Sequence, residues 1–485
     1  MINYIFITLL FFFLIYFFFN QTLILQNQYY NIKRYIIYKK EHYIETLFNI
    51  IFLSLSIIGC LFNKWFCFFY LLSFIGLIKN KTVKFRFSNR VIAFFIIFIL
   101  LIALNISYFI ISYNIYYLFL YNLLVYWISF IISSFIEKIK QLYYLNKAKK
   151  KLKLYKPTII AITGSCGKTS CKNYIYELIK DTYKTCITPK SYNTLNGILL
   201  TINTKLKPFH KILIIEIGLD HKNSINKYLK HFSFDICVVT NIKNQHIKTF
   251  KSIENIAKEK TKLLFASKNY VIINKDDPYI NKLSFKQKQI SFSINDSNND
   301  VYITNNKNNL LVKIYSNKYK VKSSLLGFHN FSNLALSIAV SKALDIKDDV
   351  IINKIPLIKN VNHRLSSYKD NNWLIIDDSY NSNFTGFINA LDVLKQFDKF
   401  KVIITPGIIE QTNNETQDKL IANKIKEVAD LIILINHPSI EKYIDDKLTF
   451  FSFKEAYAFL KENYFNNDLV ILIENDLPDI YLKWG

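Results

Sequence analysis

The chain has 485 residues and a formal net charge of +26, a length that accommodates about three domains. The charge would suit nucleic acid or anionic lipid, but the lysines are spread along the whole chain without an aromatic-rich nucleic-acid motif, so we expect no nucleic-acid partner. The six cysteines form no CxxC pair and no zinc-spaced cluster, which excludes the usual structural zinc sites and indicates free thiols in a reducing compartment.

The N-terminal third consists largely of apolar runs. They cover residues 2–19, 45–61, 65–78, 91–113 and 116–136 and are separated by short polar or basic segments. Because a membrane-spanning helix needs about 20 apolar residues, these runs predict about five transmembrane helices within residues 1–136. No small-residue cleavage site follows the first run, so we expect a retained span rather than a signal peptide.

Basic residues between the runs predict the orientation of these spans. Lysine and arginine cluster at 33–40, at 79–90 and again at 138–156, and basic loops remain cytoplasmic. We therefore expect a multi-pass protein of the plasma membrane with an outside N-terminus and cytoplasmic catalytic domains. Residues 137–156 are predicted to be a basic cytoplasmic linker, which either is solvated or forms an amphipathic helix on membrane lipid.

A glycine-rich loop opens the globular part of the chain. Residues 158–162 predict a short buried strand and residues 171–180 a helix. Between them, Gly164 and Gly167 let backbone N–H groups wrap phosphate oxygens, the helix N-terminus favours an anion, and Lys168 adds positive charge. The Thr169 hydroxyl can bind Mg²⁺. The predicted ATP-binding loop comprises Gly164, Ser165, Cys166, Gly167, Lys168, Thr169 and Ser170.

The spacing of this loop carries a resemblance to a known family. Two residues separate its glycines, whereas the general P-loop has four. A Gly-x-x-Gly-Lys-Thr loop after a strand ending in Thr163 resembles the Mur ligase family. Later segments resemble that family in order over residues 157–485, and especially its branch that adds D-alanyl-D-alanine to UDP-N-acetylmuramoyl tripeptide. The most branch-specific segment is the run Asp-Asp-Ser-Tyr-Asn at residues 377–381.

The resemblance implies an α/β fold after the transmembrane α-helical region. A P-loop central ATP-binding domain with a mainly parallel sheet would occupy residues 157–360. A Rossmann-like α/β C-terminal domain would occupy residues 361–485. The alternation of predicted strands and helices after residue 400 independently favours an α/β domain with a mainly parallel sheet.

The resemblance also implies a metal site. Glu216 ends a predicted buried strand, where a carboxylate suits a hard cation. In the family pattern it would bind Mg²⁺ together with Thr169, His246 and a carbamylated Lys260, because a carbamate turns the lysine cation into an anion. The sequence departs from the branch two residues later, where Lys262 stands in place of the usual glutamate.

Further roles fall at the predicted domain junction. Arg364 would contact ATP phosphates on domain closure, although His363 stands where the family usually has glycine. Asp378 would also face the nucleotide. Asn330 and Asn333 open a helix that would hold it, and helix capping remains the alternative for Asn333. The residues expected to bind substrate are Ser191, Asn193, Thr194, Tyr380 and Asn381. The residues expected to act in catalysis are Lys168, His246, Lys260 and Arg364.

The activity implied by the resemblance is ADP-forming ligation of a peptide carboxylate to an amine through an acyl phosphate, in peptidoglycan precursor synthesis at the bacterial plasma membrane. ATP and Mg²⁺ would be required, with UDP-N-acetylmuramoyl tripeptide and D-alanyl-D-alanine as substrates. Two alternatives remain. One is a membrane amide ligase acting on a lipid-linked precursor or poly-γ-glutamate. The other is an ATP-binding membrane protein without turnover, which the departures at Lys262 and His363 would favour.

Overall fold

The computed structural model describes most of the chain. It covers residues 2–27, 30, 32–41, 85–112, 115–219, 221–243, 247–306, 309–380, 383–408 and 415–475. The chain divides into two compact units, Met1–Tyr143 and Tyr144–Gly485. The predicted membrane spans at 45–61 and 65–78 lie outside the described residues.

The N-terminal unit is helical in its described part. Phe18 lies at its centre, with ring centroids 4.6 Å from Phe94, 4.8 Å from Phe98 and 5.9 Å from Tyr126. All four side chains are buried, so aromatic packing between helices forms the core of this unit. The helices are α1 (Ile2–Asn27), α2 (Ile32–Glu41), α3 (Asn89–Ser112) and α4 (Ile115–Tyr155).

The predicted membrane location is wrong. Across the described residues, no helix is both long and apolar enough to cross a membrane. This finding overturns the multi-pass plasma-membrane prediction and removes the basis for a membrane-lipid partner. Part of the apolar character instead serves packing between helices. The last predicted span also does not stop at residue 136, because α4 continues without a break through Glu137, Lys138 and Lys140.

The C-terminal end of α4 belongs to the second unit. Leu145 and Ala148 are buried in a core with residues of the first sheet. The Lys151 ammonium donates to the Asn203 carbonyl at 2.8 Å, and the Asn203 amide donates back to the Tyr144 carbonyl at 2.9 Å. Most of residues 137–156 are therefore one helix, and its last three turns pack against the α/β unit.

The first sheet has nine strands in the order β2-β3-β1-β4-β5-β6-β7-β8-β9. Neighbours are parallel from β2 to β7, and β7, β8 and β9 pair antiparallel. The strands are β1 (Thr158–Thr163), β2 (Thr185–Ile187), β3 (Ile212–Glu216), β4 (Phe234–Val239), β5 (Ser267–Asn274), β6 (Lys288–Ser293), β7 (Val301–Asn306), β8 (Asn309–Ile314) and β9 (Asn317–Val321).

Both faces of this sheet are covered, which explains the unbroken apolar sequence of its central strands. Ile160 and Ile162 of β1 enter one core, whereas Ile159 and Ala161 enter the other. The associated helices are α5 (Lys168–Ile179), α6 (Leu195–Thr204), α7 (Asn226–Leu229), α8 (Ile247–Phe250), α9 (Ile253–Phe265), α10 (Phe328–Ala343) and α11 (Asp348–Lys354), with a 3-10 turn at Ile355–Leu357.

The second sheet has six strands in the order β10-β11-β15-β12-β13-β14. Only its β10–β11 pair is antiparallel, which confirms the predicted mainly parallel α/β architecture. The strands are β10 (Ser366–Asp370), β11 (Trp373–Asp378), β12 (Phe400–Thr405), β13 (Leu431–Ile435), β14 (Leu448–Phe450) and β15 (Leu469–Glu474). The helices are α12 (Phe384–Leu394), α13 (Glu415–Val428), a 3-10 helix Ser439–Tyr443 and α14 (Phe453–Tyr464).

Strand order in the first sheet determines where polar residues meet. β1 lies between β3 and β4, with Ile162 beside Glu216 and Thr163 beside Val239. The carboxyl ends of these three parallel strands therefore share one edge of the sheet. Ligands of open α/β sheets bind outside such an edge.

Two leucines of α4 test whether its end packs on the α/β unit. Leu145 is 5% exposed and Leu154 is 75% exposed. We expect Leu145→Ala to lower the free energy of unfolding by about 2–5 kcal/mol, because it leaves a cavity. Leu154→Ala should change it by less than about 0.5 kcal/mol. Urea unfolding followed by circular dichroism measures both, and equal effects would contradict the packing.

Candidate functional site

The loop after β1 has the backbone geometry of a phosphate cradle. Gly164 and Gly167 have φ of 149° and 80°, and Gly167 is the N-cap of α5. A Cβ atom on Gly164 would lie 1.9 Å from the Thr240 hydroxyl oxygen, so only glycine fits. The Lys168 ammonium folds back over the loop and donates to the carbonyls of Gly164 at 2.8 Å and Ser165 at 3.1 Å. The predicted strand, loop and helix are thus present.

Residues after β4 hold this loop from the side, and sequence reasoning missed them. The Cys166 N–H donates to the Asn241 side-chain oxygen at 3.0 Å, and the Ser165 N–H donates to the Asn241 carbonyl at 2.9 Å. The Thr240 hydroxyl donates to the Cys166 carbonyl. Their signal in the sequence was position alone, since polar residues that follow a buried strand of a parallel sheet reach the same edge.

Glu216 forms the buried centre of the site. Its carboxylate accepts from the Thr169 hydroxyl at 3.0 Å, the Lys172 ammonium at 3.3 Å and the Asn193 amide at 3.3 Å. Glu216 and Lys172 are each about 1% exposed. Burial lowers the pKa of Lys172, and the negative charge of Glu216 opposes that shift. Lys172 also donates to the Lys190 carbonyl.

Sequence reasoning missed Lys172 although a signal was present. It lies four residues after Lys168, which places both lysines on one face of α5. A lysine on a helix is normally solvated, so the pattern alone did not single it out. The buried carboxylate of Glu216 explains why this lysine is buried, since a buried charge needs a partner.

Lys260 is the second buried lysine of the site. It extends from α9, is 2% exposed, and donates from its Nζ atom to the Ser165 hydroxyl at 3.1 Å. Burial lowers the pKa of Lys260 well below its usual value, and the nearby charge of Lys168 lowers it further. A neutral amine is nucleophilic, which is the state that carbamylation requires. His246, the other predicted metal ligand on this side, lies outside the described residues.

The departure at Lys262 has a local explanation. Its ammonium lies 2.7 Å from one carboxylate oxygen of Glu259, which is 2% exposed. The other oxygen of Glu259 accepts from the Ile225 N–H at 3.0 Å. Lys262 therefore balances a buried carboxylate on its own helix, and its charge does not point toward the loop after β1.

Asn330 and Asn333 join α10 to α5. The Asn330 side-chain oxygen accepts from the Tyr174 hydroxyl at 3.1 Å and from the Asn333 amide at 3.2 Å. The Asn333 side-chain oxygen accepts from the Cys171 thiol at 3.2 Å. A Cβ atom on Gly167 would lie 2.4 Å from this oxygen, so Asn333 packs directly against the loop. Both residues therefore help to hold α10 against α5, and Asn333 also packs against the glycine loop.

The predicted substrate residues before α6 lie beside Glu216. Asn193 contacts its carboxylate, as described above, and the Asn193 carbonyl accepts from the Tyr228 hydroxyl at 3.1 Å. Thr194 caps α6 by accepting from the Gly197 N–H at 3.2 Å, so its side chain has a structural role. The Ser191 hydroxyl instead lies 3.2 Å from the hydroxyl of Tyr380.

The turn after β11 brings the second sheet to this site. The Arg364 guanidinium lies 4.2 Å from the centre of the Tyr380 ring, a cation–π distance. The Asn383 amide, which caps α12, also donates to the Cys166 sulfur at 3.0 Å. Asn381 lies outside the described residues. The Ser191–Tyr380 and Cys166–Asn383 contacts therefore connect this turn to both the substrate-side loop and the glycine loop.

Asp378, the last residue of β11, is a carboxyl whose pKa is shifted by its surroundings. One of its oxygens accepts from the Leu365 N–H at 2.9 Å. Burial raises the pKa of Asp378 to about 7, while the positive charge of Arg364 opposes the shift. Burial thus favours the protonated form of Asp378, whereas the charge of Arg364 and the Leu365 N–H favour the carboxylate.

The glycine loop at the N-terminus of α5 can bind an anion. Thr169 and Glu216 provide two oxygen ligands for a metal ion, and Arg364 provides a cation from the turn before β10. Among the described residues, no group of three or more His, Cys, Asp or Glu side chains is arranged to hold a metal ion. The predicted set differs in kind, because it uses the Thr169 hydroxyl and a modified Lys260 beside Glu216. Thr169 and Glu216 are in contact at 3.0 Å, and such oxygen donors suit Mg²⁺.

Comparison with known proteins agrees with this geometry. Residues 162–341 match the family model of the Mur ligase middle domain. A UDP-N-acetylmuramoyl-tripeptide--D-alanyl-D-alanine ligase of Buchnera aphidicola subsp. Baizongia pistaciae is 31% identical over 284 residues, which are 55% of this chain and 60% of that protein. The enzyme of the same name from the Acyrthosiphon pisum subspecies is 29% identical over 345 residues, 66% of this chain and 73% of that protein.

Solved structures show the same fold. The MurF ligase of Thermotoga maritima in complex with ADP superposes with a TM-score of 0.63 at 21% identity, over 71% of this chain and 82% of that chain. A MurF structure from Acinetobacter baumannii gives a TM-score of 0.62 at 20% identity, over 69% and 77% of the two chains. The described chain therefore has the α/β fold of these solved ligases, and its residues 162–341 are similar to the Mur ligase middle domain.

The raised pKa of Asp378 predicts a pH-dependent stability. A carboxyl whose folded-state pKa exceeds its unfolded value of about 3.9 stabilises the fold below that value and loses this contribution as the pH rises through about 7. Asp378→Asn removes the titration, so we expect the variant to gain about 2 kcal/mol relative to wild type between pH 5.5 and 8.

Urea unfolding at the two pH values measures this difference. The exposed Asp398→Asn variant is the control for loss of one carboxylate. A stability difference between Asp378→Asn and wild type that is independent of pH would show that Asp378 is ionised throughout.

Proposed function

We propose that this chain is an ATP-dependent Mur ligase that joins D-alanyl-D-alanine to the tripeptide carboxylate of UDP-N-acetylmuramoyl tripeptide, with release of ADP and phosphate. The observation that carries the proposal is the meeting of three segments at one edge. Thr169, just after the glycine loop, contacts the buried Glu216, and Ser191 contacts Tyr380 after β11. Arg364, from the turn before β10, lies over the Tyr380 ring. The names of the similar enzymes supply the substrates.

We assign the triphosphate to the loop after β1. The glycine loop offers backbone N–H groups at the N-terminus of α5, and Lys168 has its ammonium directly over the loop. In its present contacts this ammonium is held by two carbonyls, which a phosphate can replace as a stronger, charge-assisted acceptor. Arg364 would add a second cation from the turn before β10.

We assign Mg²⁺ to Thr169 and Glu216, with His246 and carbamylated Lys260 completing the set. The contact between the Thr169 hydroxyl and the Glu216 carboxylate fits a hard cation. When bound, the ion supplies positive charge that neutralises phosphate oxygens. Lys260 fits this role only as the carbamate, because the ammonium would repel the ion. Its buried, low-pKa amine suits that modification.

The reaction follows from the chemistry of carboxylates. A carboxylate is a poor electrophile, so its oxygen first attacks the γ-phosphorus of ATP and ADP leaves. The resulting acyl phosphate is attacked by the D-alanyl-D-alanine amine, which forms the amide and expels phosphate. The protein mainly positions two anions and compensates their charge. We place the peptide carboxylate near Ser191 and Asn193 and the incoming amine near Tyr380 and Asn381.

Two domains carry this chemistry in the proposal. Residues 157–360 form the central ATP-binding domain around the nine-stranded sheet, and residues 361–485 form the C-terminal domain around the six-stranded sheet. The active site then lies where the Asp377–Tyr380 segment faces the glycine loop. Closure of the C-terminal domain would tighten the contacts of Arg364 and Tyr380.

A product assay tests the proposal. The purified full chain is incubated with ATP, Mg²⁺, D-alanyl-D-alanine and UDP-N-acetylmuramoyl tripeptide, and the pentapeptide is detected by mass spectrometry. We expect product in wild type and a loss of at least about 100-fold in Lys168→Ala, since a charge that stabilises the transition state is removed. Lys180→Ala, which alters an exposed ion pair on α5, should retain activity. Absence of product in wild type would refute the assignment.

A second variant pair tests the metal site. Thr169→Val removes the hydroxyl with little change of shape, whereas Thr169→Ser keeps it. We expect the Mg²⁺ concentration for half-maximal activity to rise about tenfold or more in Thr169→Val and to change little in Thr169→Ser. An equal Mg²⁺ requirement in the two variants would exclude Thr169 as a ligand.

A further inference from the structure

The turn before β10 contains an unusual backbone conformation. His363 has φ of 62°, in the left-handed region that residues other than glycine occupy infrequently. Such a residue persists only where its surroundings hold it. His363 carries a bulky ring in a conformation that glycine, without a Cβ atom, would adopt freely.

The contacts of His363 identify what holds it. Its Nδ1 atom donates to one carboxylate oxygen of Asp377 at 2.7 Å and lies 3.3 Å from the Ser379 hydroxyl. Its backbone carbonyl accepts from the Tyr380 N–H at 3.1 Å. A single residue thus binds the segment 377–380 through both its ring and its main chain.

The partner carboxylate is itself fixed. Asp377 is only 4% exposed, and its second oxygen accepts from the Ser379 N–H at 3.1 Å and the Ser379 hydroxyl at 2.6 Å. Histidine therefore bonds to a preorganised acceptor on β11. We therefore attribute the left-handed conformation of His363 to the hydrogen bond between its ring and Asp377.

The neighbours of His363 are the residues whose placement depends on this turn. Arg364 lies over the Tyr380 ring, and the Leu365 N–H binds Asp378. The Tyr380 hydroxyl in turn contacts Ser191. We propose that His363 is a positioning residue: its bond to Asp377 clamps the turn at 362–365 onto the segment 377–380 and thereby orients Arg364 and Tyr380 for the ligase reaction. This inference rests on the proposed function.

Replacing His363 by glycine tests whether its side chain orients Arg364 and Tyr380 or is only accommodated at this position. His363→Gly relieves the backbone strain but removes the clamp, so turnover should fall without a matching loss of stability. We expect an unchanged or higher melting temperature together with a kcat about 10- to 100-fold lower, because small misplacements of orienting groups are costly. His363→Asn, which tolerates the conformation and keeps a short amide donor, should recover part of the loss. A His363→Gly enzyme as fast as wild type would overturn the proposal.

A double-mutant cycle tests the pathway of the effect. Asp377→Asn weakens the same bond, so the two substitutions combined should lower kcat no further than the larger single effect. Multiplicative effects would show that His363 acts independently of Asp377 and would overturn the clamp.

Amide hydrogen exchange tests the clamp independently of ligase activity. The backbone N–H groups of Leu365 and Tyr380 are both bonded across the clamp. We expect His363→Gly to speed their hydrogen exchange about tenfold or more, with little change at the N–H of Ile403 in the sheet core. If wild type forms no product, the proposed function fails, and exchange alone then decides. Unchanged exchange in His363→Gly would overturn the clamp.

Discussion

The buried carboxylate of Glu216 is the constraint on which the site depends. A charge removed from water must be paired and hydrogen-bonded. The structure meets this demand with the Thr169 hydroxyl, the Lys172 ammonium and the Asn193 amide. These three partners come from the first helix after the glycine loop and from the segment before α6. One acidic side chain at a strand end therefore fixes the relative positions of the segments to which we assign phosphate, metal and peptide.

Strand order explains why this carboxylate can organise so much. β1 lies between β3 and β4, so the glycine loop, Glu216 and Asn241 leave the sheet at one edge. The second sheet contributes its own strand end there, through Tyr380 and Asn383. Each sheet thus brings a carboxyl-terminal edge to the same place. In the proposed reaction the two edges would supply different groups, the glycine loop and Glu216 from the first sheet and Tyr380 from the second.

Sequence patterns predicted what is local and missed what depends on distant partners. The β1 strand, the glycine loop and the parallel C-terminal sheet follow from apolar runs and glycine spacing, so they were recognisable. Lys172 was not, because its burial depends on Glu216, which is 44 residues away. The membrane prediction for the N-terminal third was wrong for a related reason. Hydropathy records that Phe18 and Phe94 avoid water, but it does not say whether lipid or a neighbouring helix covers them.

The two departures from the family pattern are informative because each contacts a buried carboxylate nearby. Lys262 pairs with the buried carboxylate of Glu259, and His363 with that of Asp377. Neither residue removes a group from the glycine loop or from Glu216. The sequence alone made both positions arguments for a protein without turnover. With their partners known, Lys262 preserves local charge balance on α9 and His363 substitutes a side-chain clamp for the freedom of glycine. Neither departure therefore argues against the proposed function.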